Sequence, residues 1–191
     1  MKSFNKLVLL ITALVITCLG VLIIFRVNKG GGHNMPDKSS ATGLQIISPV
    51  FKEGGPIPIQ YSCRGQNVSP PLNIMSVPPG AQSLALIMHD PDAPMGDYVH
   101  WTIWDIPTRT ETIPANSVPT GAVQGRNSSD QNKYMGPCPP SGTHRYMFEL
   151  YALDKTLSLP AETTRDQLED AIKDHVIEQH TLTGTFSASS E

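Results

Sequence analysis

The sequence predicts a β-rich sandwich domain with one helix near its C-terminal end, preceded by a separate membrane-spanning helix. Three observations lead there. Seventeen prolines and fifteen glycines among 191 residues cut the chain into pieces that suit short strands and turns better than a helical bundle. Hydrophobic residues at 39% and aromatics at 6% suffice for a packed core and do not match a disordered chain. The long uncharged run lies close to the N-terminus, apart from the remainder. The length is that of one ordinary domain plus an appendage.

Residues 1–27 are the first element. Leu7 to Phe25 reads LVLLITALVITCLGVLIIF without a charge, and as a helix it is about 28 Å long, close to the hydrocarbon thickness of a bilayer. Lys2 and Lys6 precede it, which places the N-terminus in the cytoplasm and the domain outside. A cleavable signal peptide would have a shorter apolar region and a small-x-small site. No Ala-x-Ala pattern lies between Gly20 and Gly32, so a retained signal anchor is preferred; cleavage would make the domain secreted. Lipidation at Cys18 is disfavoured by Thr17 before it and by the apolar run continuing past it.

Residues 28–43, with Gly30-Gly31-Gly32 and Asp37-Lys38-Ser39-Ser40, have the composition of a flexible linker. Residues 44–187 are the size of one folded unit, and residues 188–191 form a short tail. The chain's net charge of −3 hides an asymmetry, because the first 36 residues hold four bases and no acid. The rest is strongly acidic, which argues against nucleic-acid binding.

Within the domain, short β-like runs recur between turn signals at Gln45–Ile47, Ile57–Tyr61, Ser83–His89, Val99–Asp105 and Arg145–Leu153. Thr164-Arg165-Asp166-Gln167 is a capping-box pattern, and Leu168, Ala171, Ile172 and Val176 follow at helical spacing, predicting a helix over about 165–179. Alternation in Val99–Asp105 puts His100, Thr102 and Trp104 on one face and Val99, Trp101 and Ile103 on the other. In the last run His144, Tyr146, Phe148 and Leu150 share a face. Both histidines fall at the start of β-runs, where a site at a sheet rim would be built. Trp101 and Trp104 are assigned to the core, and His89, His175 and His180 to structural or surface positions.

Two clusters carry chemistry. His89-Asp90-Pro91-Asp92-Ala93-Pro94, followed by His100-Trp101, is a stiff acidic loop. Gly136-Pro137-Cys138-Pro139-Pro140-Ser141-Gly142-Thr143-His144-Arg145-Tyr146 is a rigid loop that delivers His, Arg and Tyr together. Each alone is a weak signal. Together with Tyr61-Ser-Cys63-Arg-Gly65-Gln-Asn-Val-Ser69-Pro-Pro-Leu72 and Leu182-Thr-Gly184-Thr-Phe186, they resemble the phosphatidylethanolamine-binding protein family, also called Raf kinase inhibitor-like proteins, in its bacterial and archaeal branch. The resemblance covers Leu44 to Phe186. Asn73-Ile74 departs from it, since a tryptophan is common there.

The resemblance implies a β-sandwich and a non-catalytic binding module, with a small pocket for a phosphate, phosphonate, carboxylate or phospholipid headgroup. Carried over by motif, Asp90, His100, Gly136, Pro137, His144 and Tyr146 line it, with Asp92, Tyr98 and Cys138 at its edge. Imidazoles, a phenol and loop N–H groups can donate to anion oxygens. Asp90 would orient a histidine, because a carboxylate facing an anion is otherwise repulsive. Arg145 reads as a partner for a loop carboxylate. No cofactor is implied.

Two other classes compete. A hydrolase lacks a Gly-x-Ser-x-Gly elbow, and a Cys138–His144 pair would sit in a proline-locked loop. Asp90, Asp92, His100 and His144 are suitable ligand types for zinc, but no HExxH or paired-Cys spacing supports a metal site. The resemblance further implies a homodimer and a partner protein whose kind stays open; a cytosolic kinase does not fit a domain outside the cytoplasm. Cys63 and Cys138, both in motif segments, are either a disulfide formed on export or two separate buried thiols.

Overall fold

The computed structural model describes residues 43–190. The predicted membrane helix, and the linker up to residue 42, lie outside the described residues. No helix among the described residues is long and apolar enough to cross a membrane. These residues form eight strands and one α-helix: β1 Gln45–Ile47, β2 Leu72–Met75, β3 Ser83–Asp90, β4 Tyr98–Ile106, β5 Thr112–Ile113, β6 Val123–Gln124, β7 Thr143–Leu153, α1 Arg165–Ile172 and β8 Val176–Ser187. One sheet runs β1-β2-β5 and the other β6-β4-β3-β7-β8. All the pairings are antiparallel.

The two sheets enclose the main core. Ile46, Leu72, Ile74 and Ile113 of the small sheet meet Leu84, Leu86 and Met88 of β3, Trp101 and Ile103 of β4, and Tyr146, Phe148 and Leu150 of β7. Ile74 thus fills the core where the family pattern departs. On the far face of the large sheet, Ala85, Ile87, Trp104, Tyr151 and Leu153 pack against Leu168 and Ile172 of α1. β3 is buried on both faces along its whole length, which explains why SLALIMHD reads as a nearly continuous apolar run. Each large side chain withdrawn from water there contributes about 1.5–3 kcal/mol.

Three expectations are corrected. Ile57–Tyr61 is not a strand; Ile59–Tyr61 is a 3-10 turn. Pro56 and Pro58 lack the N–H donors a ladder needs, and Pro56 forms only an isolated bridge to Thr185. The helix ends at Ile172, and it is followed by β8, so it is not the last element. Val176 coincides with the helical period, but Val176, Glu178 and Gln179 instead pair with Leu153, Ala152 and Tyr151 of β7. A β-branched Val176-Ile177 pair suits that ladder. The N-terminal end of α1 follows the sequence, with Thr164 and Gln167 forming the capping box.

The third correction concerns alternation in β4, which two irregularities break. Leu84 pairs with Ile106 and Leu86 with Ile103, so β4 carries one extra residue. Asp105 absorbs it at φ 54°, and its carboxylate accepts from Leu157 N (2.7 Å) and Ser158 N (3.0 Å). Farther along, Met88 pairs with Trp101 and His89 with Val99, leaving His100 as a second extra residue. A bulge sets neighbouring side chains on the same side of a sheet. His100 therefore leaves the predicted face of Thr102 and Trp104 and joins Tyr146 on the side of the main core.

The exposed edge of β8 is covered. Gly54 N and Ile57 N donate to Thr183 O and Thr185 O, and Thr185 N donates to Gly55 O. Leu44 N donates to Glu178 Oε1 and Ile46 N to His180 Nδ1. Those contacts occupy an edge that would otherwise invite pairing with another chain.

Candidate functional site

The site forms where β3 ends, β4 begins and β7 begins. Asp90 closes β3, and its Oδ1 accepts from Asp92 N at 2.9 Å, turning the chain into the proline-stiffened loop. Its Oδ2 accepts from His144 Nδ1 at 2.7 Å, and both side chains are buried. Asp90 and His144 thus form a buried carboxylate–imidazole pair. His100 Nδ1 donates to the Met135 carbonyl at 2.7 Å, and Met135 N returns a bond to His100 O at 3.0 Å. The His100 ring lies edge-on to Tyr146 at 5.1 Å and tilted against Tyr98 at 5.0 Å. Burial pushes the His100 pKa down, more than the Met135 carbonyl and Asp90 raise it.

Tyr146 is completely buried, and its hydroxyl has no hydrogen-bond partner. Burial pushes the phenol's pKa up, and the Asp90 charge adds to that. Asp90 and the Cys138 N–H are near enough to bias its ionisation, but neither satisfies hydrogen-bond geometry. The phenol O–H is therefore neutral, buried and unmatched.

The loop opposite is laid against the turn after Tyr61. Gly136 N donates to Asn67 Oδ1 (2.7 Å), Cys63 N to Pro137 O (3.1 Å), and Tyr134 Oη to Tyr61 O (2.7 Å). A disulfide joins Cys63 to Cys138 across a Cα separation of 5.5 Å, so the two-thiol alternative does not hold. Gly136 is required because a Cβ there would overlap the Tyr61 carbonyl and the Ser62 backbone.

Of the predicted lining residues, Asp90, His100, Gly136, Pro137, His144 and Tyr146 are all buried around this junction. Tyr98 is half-buried at its margin, with its hydroxyl 2.5 Å from Ser129 Oγ. Asp92 faces outward. Its carboxylate takes Arg145 N (2.9 Å), Nε (2.9 Å) and Nη2 (2.7 Å), as the sequence suggested for Arg145, and those bonds hold it down at about 2. Cys138 is exposed, and its sulfur is committed to the bridge. Sequence reasoning missed Met135 and Asn67. Both contribute through oxygens that position His100 and Gly136, which no residue-type pattern reveals, although Asn67 lies inside a motif segment.

On the opposite face of β3, His89 is buried, with Nδ1 2.7 Å from Asp97 Oδ1 and Nε2 3.6 Å from Glu149 Oε1. Arg165 of α1 also binds Asp97 at 2.6 Å. Hollows of about 580 and 600 Å³ lie away from the Asp90 site, beside α1 and on the small sheet. The first is lined by Arg126–Asp130 and Arg165–Asp97 pairs that already satisfy one another. Among the described residues, no group of three or more His, Cys, Asp or Glu could hold a metal ion.

Comparison with known proteins agrees with this architecture. A family model described as phosphatidylethanolamine-binding protein matches residues 47–187. A UPF0098 protein of Chlamydia pneumoniae is 46% identical over 151 residues, spanning 76% of this chain and 100% of that protein. A Mycobacterium tuberculosis protein named as a candidate lipoprotein, LppC, is 44% identical, spanning 77% of this chain and 74% of its own. The crystal structure of CT736 from Chlamydia trachomatis, described as a candidate phosphatidylethanolamine-binding protein homolog, superposes with a TM-score of 0.75 at 38% identity, covering 77% of this chain and 99% of that one. The chain belongs to the phosphatidylethanolamine-binding protein family.

Proposed function

We propose that the domain is a non-catalytic binding module whose Asp90, His100, His144 and Tyr146 take a small anion, of the phosphate, phosphonate or phospholipid-headgroup kind. The observation that carries this reading is the Tyr146 hydroxyl, buried and without a partner beside two imidazoles fixed by Asp90 and Met135. Buried polar groups are nearly always paired, so an orphan donor at the centre of a polar cluster marks the place of a missing acceptor. An anion oxygen supplies one. A short headgroup makes few contacts, and dissociation constants from sub-millimolar to millimolar, about −4 to −6 kcal/mol, are expected.

The hydrolase alternative is weakened because Cys138, its candidate nucleophile, is held in the disulfide. The membrane-anchored, extracytoplasmic placement rests on the N-terminal charge pattern and on the lipoprotein name of the mycobacterial relative. Association as a two-fold homodimer is part of the same proposal, as the commonest closed arrangement; sedimentation as a monomer at micromolar concentration removes it.

The test of binding is phosphorus NMR of phosphate and phosphoethanolamine titrated with the full chain in detergent. Broadening that saturates, and that weakens at least tenfold in His144→Ala, is expected. A signal unaffected by the protein rejects the reading.

A further inference from the structure

We infer that the domain holds a second, smaller site, beside the Asp90 site and independent of it, for a small hydroxylated carboxylate of the sugar-acid kind. A hollow of about 190 Å³ lies between the segments 67–69, 116–118 and 133–134, with Trp101 of β4 and Gln124 of β6 in its wall. It adjoins the Asp90 site through sequence neighbours and one bond. Trp101 follows His100, Tyr134 precedes Met135, and Asn67 Oδ1 accepts from Gly136 N.

The polar groups of this wall are mainly donors that the fold leaves unused. Lys133 forms no ion pair with another described residue, although the domain is acidic. Ser69 is only 2% exposed, and its hydroxyl bonds to no described residue. Buried polar groups are nearly always paired, so a free hydroxyl on the wall of a hollow points to an occupant. Asn67 and Gln124 each commit a carbonyl oxygen within the fold, to Gly136 N and to Trp101 Nε1, both at 2.7 Å. Those bonds fix which end of each amide is which, and both NH₂ groups remain to donate. One cation among neutral donors favours a single carboxylate, whose two oxygens accept from Lys133 and from the fixed amides. The hydroxyls of Ser69 and Ser117, which donate and accept, suit hydroxyl groups on the remainder of the molecule. Volume sets the size: about 190 Å³ is room for roughly six waters, below the ~300 Å³ at which pockets for drug-sized ligands begin. A sugar acid such as gluconate is of that size, and a lipid tail is not.

The experiment is a gluconate titration of the nitrogen-15-labelled full chain in detergent, read at the indole N–H signals of its two tryptophans. The Trp101 N–H is bonded to Gln124 in the wall, and its signal should move and saturate at millimolar gluconate. The Trp104 signal, from the core under α1, should stay. Lys133→Gln, at an exposed position, should weaken gluconate about tenfold, the fold-change expected for a lost hydrogen bond to a charged group. Sorbitol, the same polyol without the carboxylate, should bind the parent about tenfold more weakly than gluconate on the same ground. A Trp101 signal that does not move shows a hollow filled by water alone and overturns the inference. Equal binding of gluconate and sorbitol, or of gluconate to parent and Lys133→Gln, overturns it too. His144→Ala should leave the gluconate titration unchanged; loss of binding in that variant moves the ligand to the Asp90 site and rejects a second one. Phosphate that fails to bind overturns the anion reading alone and leaves this site standing.

Discussion

Gly136→Ala puts the architecture of the site to a quantitative test. The added Cβ would fall 2.8 Å from Ser62 Cα and 2.9 Å from Asn67 Oδ1, and closer still to the Tyr61 carbonyl oxygen. Two of these are backbone atoms, in a segment bridged to the same loop through Cys63, so neither can swing aside. Forcing a methyl into such a space costs about 1–3 kcal/mol. Displacing the loop also lengthens the Gly136 N–H bond to Asn67, worth about 1 kcal/mol. The sum is about 2–4 kcal/mol, a fall in melting temperature of roughly 5–15 °C for a domain of this size. Gly142→Ala is the control. Its φ is +65° and nothing lies within 4 Å of the new Cβ, so it meets only left-handed strain of about 1–2 kcal/mol. Thermal unfolding followed by circular dichroism measures both variants. A Gly136→Ala melting temperature within about 2 °C of the parent, or a larger loss in Gly142→Ala, would refute the close approach of the loop to the turn.

Three further outcomes are expected. The Cys63–Cys138 bridge spans a sequence separation of 75 residues, so the double serine variant should lose about 4.5 kcal/mol in the chain-entropy description; an unchanged urea midpoint contradicts it. Burial opposes a charge on His89, but Glu149 and Asp97 outweigh it and hold its pKa above 6.5. A raised folded pKa means this stabilisation is complete below about pH 6.5 and is lost as the pH climbs through the folded value; urea midpoints that fall from pH 6 to pH 8.5 in the parent and stay flatter in His89→Gln are the check. Asp105→Ala removes the acceptor for Leu157 N and Ser158 N and leaves alanine at positive φ, costing about 2–4 kcal/mol; a calorimetric loss under about 1 kcal/mol would show that the bulge does not depend on that carboxylate.

The legible parts of the fold were those whose cause is local. β1, most of β3, β4 and β7, and the start of α1 follow from apolar runs, turn residues and the Thr164 capping box. β2, β5 and β6 were missed because they are two to four residues long, too short for a period, and they exist only through their neighbours. Val176–Gln179 was misread because a helical spacing of apolar residues and a β-branched strand look alike over four positions. The segment's state was settled by the β7 backbone beside it.

By itself the sequence supplied the candidates, since the resemblance of its motif segments to the family points to Asp90, His100, Gly136, Pro137, His144 and Tyr146. It also determined that two cysteines stood in motif segments, whereas the need for a glycine at 136 came from the Tyr61 and Ser62 backbone folded against it. Only the tertiary structure decided how those residues act. Strict alternation sends His100 to the face of Thr102 and Trp104, and a single extra residue opposite Met88 and His89 returns it to Tyr146. A bulge is a property of two paired strands and cannot be read from one. The direction of each imidazole was decided in the same way, by the Met135 carbonyl and the Asp90 carboxylate, partners 35 and 54 residues away. Which ring nitrogen carries a proton depends on what it touches, and contacts over such distances exist only after the chain has folded.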